Sequence, residues 1–203
     1  ITHGDDSLAP HLYCDADFAG CPRTLKSTSG THLNLEGARS CFPLAAQSKR
    51  QTAVADSTPM AELAAAHSGL KNMLIPSMDL WNILIPTGYR GIIHEDNQAC
   101  IQVINSGKNP TMRHINRTFG ISIQTLHNLL SRSNDEIFIE SDDMDGDDDG
   151  RWLSSWEDNG DTDLGRLPID MPYTPTDRMC ADIHTKAFSD KDLSCQLHLN
   201  KFH

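Results

Sequence analysis

The stretch YCDADFAG, residues 13–20, places two aspartates two positions apart at the end of a predicted strand, HLYCD (11–15). Strands favour β-branched and aromatic residues over aspartate. One interpretation is a strand that runs into a turn, where aspartate bonds locally to the backbone. The alternative is a metal site, which needs further ligands from elsewhere in the chain. Because side chains alternate along a strand, Asp15 and Asp17 share one face of it if the strand persists.

Strand and helix patterns alternate outward from this stretch. Alternating hydrophobicity and turn residues predict four further strands, at 30–36, 41–47, 90–96 and 136–140. Pro43 favours a sheet edge for the strand that contains it. Caps, prolines and apolar spacing predict helices from DSTPMAEL (56–63) onward, at 97–107, over 112–130 and at the end of 171–188. Together these elements predict one α/β domain around a five-stranded mixed sheet flanked by helices.

The acidic residues of the chain are concentrated in one segment. The net charge is −11, and residues 140–170 alone contain 12 Asp or Glu and two Arg. The segment is also glycine-rich, which predicts an acidic, flexible insertion at 141–170 within one domain at 8–192, with tails at 1–7 and 193–203. Outside this segment the charge is close to neutral, so composition does not exclude nucleic acid as a partner.

The insertion contains part of a calcium-loop pattern. Asp145, Asp147, Asp149 and Gly150 match the first half of that motif. The motif requires a bidentate Glu at its twelfth position, where this chain has Trp156. A tolerated surface insertion is therefore the favoured interpretation.

The cysteines and the apolar runs indicate the cellular compartment of the protein. The six cysteines form no Cys-x-x-Cys pair, no signal segment is visible, and no apolar run reaches the roughly 18 residues that a membrane span needs. We therefore predict reduced thiols in a cytosolic or nuclear compartment and no membrane partner. The first residue is Ile1 rather than Met, which predicts a fragment of a longer polypeptide.

Four acidic residues lie at the ends of predicted elements. Asp15 and Asp96 end strands, Glu62 lies in the first turns of a helix, and Asp182 lies near the start of the last helix. Open α/β sheets place their sites at such positions. Carboxylates that converge there repel one another unless a hard divalent cation lies between them, and oxygen ligands suit Mg²⁺. Taken singly, each residue is more often a helix cap or a solvated charge, so spacing alone does not decide between the two interpretations.

Five blocks of sequence, in order, resemble the ribonuclease H domain at the C-terminal end of Copia-type retrotransposon polyproteins. They are YCDADFAG followed by KSTSG (26–30), DSTPMAEL (56–63), EDNQAC (95–100), NPTMRHIN (109–116) and YTPTDRMCADIHTK (173–186). The family typically shows Asp-Ala-Asp-Trp-Ala-Gly, Lys-Ser-Thr-Ser-Gly, Ser-Ser-Thr-Glu-Ala-Glu, Cys-Asp-Asn-Gln and Ala-Asp-Ile-x-Thr-Lys at the corresponding places. The resemblance covers about residues 11–188, interrupted by the acidic insertion, and implies a ribonuclease H-like fold.

The resemblance also implies a site and an activity. It makes Asp15, Glu62, Asp96 and Asp182 the catalytic residues and the ligands of two Mg²⁺ ions, for which Mn²⁺ can substitute. The implied reaction is endonucleolytic hydrolysis of the RNA strand of an RNA–DNA hybrid during reverse transcription, with one ion activating water and the other stabilising the leaving 3′ oxygen. The implied partners are the hybrid and the reverse transcriptase portion of the same polyprotein, in a cytoplasmic virus-like particle or in the nucleus.

Two short stretches are predicted to contact the substrate. Lys26, Ser27, Thr28 and Ser29 lie in the KSTSG turn, where a cation and hydroxyls suit a phosphate; a plain turn is the alternative. Asn97 and Gln98 open a helix, where amides can reach a nucleic-acid backbone; simple capping is the alternative. Asp17 is expected at the rim of the site or at the strand end.

The chain departs from the family pattern at several positions. STPMAE (57–62) has one residue more than the family between Ser-Thr and the Glu, which turns Glu62 about 100° around the helix unless Pro59 absorbs the extra residue. Phe18 replaces the usual Trp, and Asn116 replaces an Asp, which removes any ion pair made there.

Two interpretations other than an active ribonuclease H are open. Cellular ribonucleases H carry a His in the loop before the last Asp, but residues 172–181 contain none, and His184 is a weak substitute. The missing His predicts slow turnover. The extra helix-start residue and the acidic insertion favour the alternative of a catalytically decayed or repurposed binding module, and the intact set of four carboxylates argues against it. An integrase-type strand transferase shares the fold but typically uses three carboxylates, and the blocks do not resemble it. Convergence of the carboxylates discriminates an active site from a decayed one.

Overall fold

The computed structural model describes residues 8–84, 90–112, 114–130 and 169–186, and a mixed sheet lies at its centre. The strands are β1 (Ala9–Asp17), β2 (Thr28–Glu36), β3 (Cys41–Arg50), β4 (Gly91–His94) and β5 (Ile169–Asp170). Their order is β3-β2-β1-β4-β5, with antiparallel β3, β2 and β1 followed by parallel β4 and β5. The predicted α/β class with a five-stranded mixed sheet flanked by helices is confirmed.

The strands differ in detail from the prediction. β2 begins at Thr28, so three residues of KSTSG belong to the sheet rather than to a turn. β3 lies at the sheet edge, as Pro43 predicts, and the ladder with β2 is irregular beside that proline. The predicted strand at 136–140 lies outside the described residues. The fifth strand that the structure describes is β5, which occupies the last two positions of the predicted insertion.

One long helical segment covers the sheet and carries a change of helical geometry. It consists of α1 (Thr58–Gly69), a π-helical turn (Leu70–Leu74) and α2 (Ile75–Leu84). Alanine-rich α1 buries eight of its twelve residues, because small side chains allow close approach to the sheet. Pro76 gives the physical reason for the π turn, since it has no N–H to donate and its ring clashes with the carbonyl four residues earlier.

The helices after β4 are shorter than the sequence pattern predicts. α3 (Gln98–Ser106) begins after Asn97 and ends at Gly107, which has a φ of 66°. In place of the predicted helix over 112–130, the structure describes two short helices, α4 (Ile115–Phe119) and α5 (Ile123–Leu130), preceded by a 3₁₀ turn (Pro110–Met112). Gly120, with a φ of 69°, ends α4, because left-handed backbone cannot continue a right-handed helix.

Beyond β5, residues 179–186 of the C-terminal described segment lie on the face of the sheet opposite α1. Instead of the predicted final helix, the structure describes two 3₁₀ turns, Thr176–Arg178 and Cys180–His184. We call the second one the C-terminal turn. Its residues pack against Tyr13, whereas Leu12 and Cys14 of the same strand face the larger core with α1. Among the helices of the described residues, none combines the length and apolarity that a membrane crossing requires.

Candidate metal centre

Three acidic side chains converge at one end of the sheet. Asp15 near the end of β1, Glu62 in α1 and Asp96 just after β4 each place a carboxylate oxygen within 4.8 Å of the other two. Because β1 and β4 are adjacent and parallel, with Tyr13 opposite His94, their carboxyl ends meet at the same edge. We call these three side chains the carboxylate cluster.

The extra residue in STPMAE does not turn Glu62 away from the cluster. Pro59 lies in the first turn of α1, where its missing N–H costs no helical bond. Glu62 is 4% exposed and faces inward with the buried side of the helix. The helix start therefore accommodates the additional residue while still directing the carboxylate toward Asp15.

The electrostatics of the carboxylate cluster favour a cation. Burial, followed by the negative charges of Glu95 and Asp15, raises the pKa of Glu62 to about 10. Its buried Oε2 has no hydrogen-bond partner among the described residues. An unpartnered buried carboxylate is costly, and a hard divalent cation supplies both the missing charge and the missing contact. The donor set therefore fits Mg²⁺ or Mn²⁺.

A buried carboxyl that is absent from the predicted site residues lies directly beside the carboxylate cluster. Glu95 is completely buried, and its Oε1 accepts a hydrogen bond of 3.1 Å from the Asn97 backbone N–H. Burial raises the pKa of Glu95 to about 8, against the lowering effect of that bond. The sequence signal is EDNQ in place of Cys-Asp-Asn-Gln. Glu95 is not one of the three grouped ligands, but its charge acts on Glu62.

Asp182 lies apart from the carboxylate cluster and is connected to it through a lysine. Lys186 Nζ is 2.7 Å from Asp182 Oδ1 and 3.4 Å from Asp15 Oδ1. Burial raises the pKa of Asp182 to about 6, although the bond from Lys186 opposes the rise. Lys186 is not among the predicted site residues, although it is the last residue of the Ala-Asp-Ile-x-Thr-Lys motif and lies four residues after Asp182.

Two threonine hydroxyls hold the aspartates of the cluster. Thr176 donates a hydrogen bond of 2.6 Å to Asp96 Oδ2. Thr185 donates one to Asp15 Oδ2. Both threonines come from the C-terminal described segment, so that segment orients one carboxylate in β1 and one just after β4.

A pocket of about 350 Å³ opens onto these groups. Its lining residues come from four parts of the chain: Asp15, Ala16, Asp17, Phe18, Thr58, Glu62, Asp96, Asn97 and Lys186. Asn97 accepts a hydrogen bond from the Cys100 N–H and so caps α3, while Gln98 is exposed beside it. His184 points elsewhere, toward His32, with 3.1 Å between their ring nitrogens.

The KSTSG residues make internal contacts. Lys26 Nζ donates to the Thr52 carbonyl at 2.5 Å, and the buried Ser27 hydroxyl accepts from the Ala19 N–H. The buried Ser29 hydroxyl accepts from the Gln51 amide, and Thr28 is half-buried at the start of β2. Lys26, Ser27 and Ser29 therefore contribute to holding the local structure together. Contact between Lys26–Ser29 and a substrate stays a prediction.

A second pocket, of about 260 Å³, lies further along α1 from Glu62. Basic groups line it and no acidic residue does: Lys49, Arg50, His67 and Lys71 join Ser29, Gln51, Thr52, Ala64, Ser68, Asn72, Phe119 and Ile121. We call it the basic pocket. Lys71 lies nine residues beyond Glu62, which corresponds to about 14 Å along a helix axis. Ser29 of the KSTSG motif lines this pocket, but its lysines and its arginine come from β3 and from the π turn and belong to no motif.

Comparisons with known proteins give one structural likeness. No protein-family model and no curated protein sequence matches the chain. Among solved structures, the chain is similar to the N-terminal RNase H domain of Rv2228c from Mycobacterium tuberculosis, determined as a fusion with maltose-binding protein. The identity is 10%, the TM-score is 0.45, and the match covers 96% of this chain and 100% of the other.

Proposed function

We propose that this chain is a metal-dependent nuclease of the ribonuclease H type that hydrolyses the RNA strand of RNA–DNA hybrids. The observation that carries the proposal is the convergence of Asp15, Glu62 and Asp96, which are far apart in sequence, with carboxylate oxygens within 4.8 Å of one another. Carboxylate clusters of this kind hold the divalent ions of phosphodiester hydrolysis. The ordered blocks that resemble retrotransposon ribonucleases H support the same substrate and a reverse transcriptase portion as partner.

The residues of the chain have distinct roles in this proposal. The carboxylate cluster would hold a divalent cation, and Asp182, whose Oδ1 contacts Lys186 in this structure, would be the fourth ligand. Cations bound there would lower the pKa of a water molecule and stabilise the leaving 3′ oxygen. Thr176 and Thr185 fix the orientation of Asp96 and Asp15 through hydroxyl hydrogen bonds.

Substrate binding involves a wider surface than the carboxylates. The basic pocket offers Lys49, Arg50 and Lys71 to backbone phosphates. These contacts carry no base specificity, so the preference for a hybrid would come from 2′-hydroxyls and groove shape. The net charge of −11 does not oppose this proposal, because the acidic residues are concentrated at 140–170.

The test is cleavage of a hybrid whose RNA strand is labelled, in Mg²⁺ and in Mn²⁺ between pH 7 and pH 9. We expect products with 5′-phosphate ends, and a loss of at least 100-fold in rate for Asp96→Asn. The asparagine is isosteric and still accepts the Thr176 hydrogen bond, so the fold is retained. Exposed Asp79, on α2, provides the control Asp79→Asn. Absence of cleavage by folded protein in both metals would contradict the proposal.

A binding module without catalysis is the second candidate. The observation that favours it is the Lys186 ammonium group between Asp15 and Asp182, where it contacts oxygens that a cation would also use. Hybrid binding with unchanged affinity in Asp96→Asn, together with no cleavage by the wild type, would select this candidate.

A further inference from the structure

Lys186 lies at the rim of the pocket, and its ammonium group contacts two buried aspartates. Its side chain is 38% exposed, while those of its partners Asp15 and Asp182 are 3% and 4% exposed. We propose that Lys186 is a built-in cation that bridges Asp15 and Asp182 in the substrate-free protein. The chain then binds one divalent cation, at the carboxylate cluster, until Lys186 moves away. This inference rests on the proposed function, because it concerns the same site.

The local structure holds the lysine in this place. Asp182, Thr185 and Lys186 are spaced three and four residues apart, so that they share one side of the C-terminal turn and its continuation. Thr185 donates to Oδ2 of Asp15 and Lys186 contacts Oδ1, so both oxygens of Asp15 are engaged by neighbouring residues. The bridge is therefore part of a three-residue arrangement.

The backbone of this arrangement is fixed to the sheet. The Ser48 hydroxyl of β3 donates a hydrogen bond of 2.6 Å to the His184 carbonyl. The His184 ring lies against the His32 ring of β2. Motion at Lys186 is thus motion of a flexible four-carbon side chain from an anchored backbone.

The positive charge of Lys186 explains why the chain binds one divalent cation rather than two. An ammonium group has three donors and no acceptor, so it occupies lone pairs of Asp15 Oδ1 and Asp182 Oδ1 that a second cation between these two aspartates would use, while Asp15 keeps other lone pairs for the first cation. It also repels a divalent ion placed between the same two aspartates. A phosphate of bound nucleic acid offers the ammonium a different anionic partner. Substrate binding would therefore release Asp182 and admit a second divalent cation.

The test is isothermal titration calorimetry of Mn²⁺ into the protein without nucleic acid. We expect about one ion per chain for the wild type and about two for Lys186→Met, which keeps the length of the side chain and removes its charge. Exposed Lys108 provides the control Lys108→Met, for which one ion is expected. The melting temperature of each protein with and without Mn²⁺ gives a second readout, and the increase should be largest for Lys186→Met.

The possible outcomes distinguish failure of the Lys186 inference from failure of the proposed nuclease function. Equal stoichiometry for the wild type and Lys186→Met would overturn this inference, while hybrid cleavage by the same wild-type preparation would leave the proposed function intact. If Lys186→Met failed to fold, the wild type would still test the inference, because two ions bound per wild-type chain would overturn it. Folded wild type that binds no Mn²⁺ would overturn both proposals.

Discussion

Gly30 on β2 lies directly opposite Asp15 on β1, and an ideal Cβ at Gly30 would lie 2.8 Å from the Ala181 carbonyl oxygen. The same Cβ would lie 2.6 Å from Thr185 Cγ2. A glycine is therefore needed here for close approach rather than for a turn. It allows the C-terminal turn to dock on the sheet and bring Asp182, Thr185 and Lys186 beside Asp15.

Replacement of Gly30 by alanine should destabilise this docking. Because Ala181 contributes a backbone atom, the clash cannot be relieved by a side-chain rotation, and we expect a loss of about 1–3 kcal/mol in the free energy of unfolding. Mn²⁺ affinity should also fall, since Thr185 no longer holds Asp15. Urea denaturation and calorimetry measure the two effects.

The control for this substitution is Gly20→Ala, in an exposed turn. There the three atoms nearest to the added Cβ all belong to the Asp17 carboxylate group, which can rotate away. An equal loss of stability in both variants would contradict the role assigned to Gly30.

The residues that sequence analysis identified differ in kind from those that it missed. Asp15 and Asp96 lie near strand ends and Glu62 lies in the first turns of a helix, and local pattern together with ordered motifs is enough to single them out. The contribution of Gly30 depends on a segment about 150 residues away, which no local pattern contains. The two-residue strand β5 is too short to show alternation.

Thr176→Val should weaken metal binding without changing the metal ligands. The substitution removes the hydroxyl that donates to Asp96 Oδ2 and keeps the shape of the side chain. Loss of a hydrogen bond that orients a metal ligand typically costs about 10- to 100-fold in affinity. We expect a decrease in this range for Mn²⁺ by calorimetry. Thr118→Val, at an exposed position of α4, should leave the affinity unchanged, and equal affinities in all three proteins would disprove the role of Thr176.

Lys71→Ala should weaken hybrid binding through the basic pocket. A lysine that contacts a phosphate contributes about one unit to the slope of log affinity against log salt concentration. Fluorescence anisotropy of a labelled hybrid at several salt concentrations, in Ca²⁺ to prevent cleavage, measures this slope. We expect it to decrease by about one for Lys71→Ala. An unchanged slope would remove the basic pocket from the interface.

Lys26→Ala tests the alternative surface that the KSTSG motif predicts. Lys26 already donates to the Thr52 carbonyl, so the structure favours a structural contact for its ammonium group. We expect a smaller change in salt slope than for Lys71→Ala, and no change for exposed Lys108→Ala. A larger effect at Lys26 than at Lys71 would move the interface from the basic pocket to the β1–β2 connection.

Acidification should destabilise the protein partly through His94. Its ring bonds to His11 at 2.9 Å and to the Thr174 hydroxyl at 2.7 Å, and burial, followed by the charge of His11, lowers its pKa to about 3. The unfolded chain takes up this proton near pH 6.5, so the stability falls below that pH, by about 1.4 kcal/mol at pH 5.5. Urea denaturation at pH 7.5 and at pH 5.5 measures how much stability each protein loses on acidification. This loss should be smaller by this amount in His94→Gln than in the wild type. The loss should be unchanged in exposed His114→Gln, and equal losses in both variants would refute the assignment.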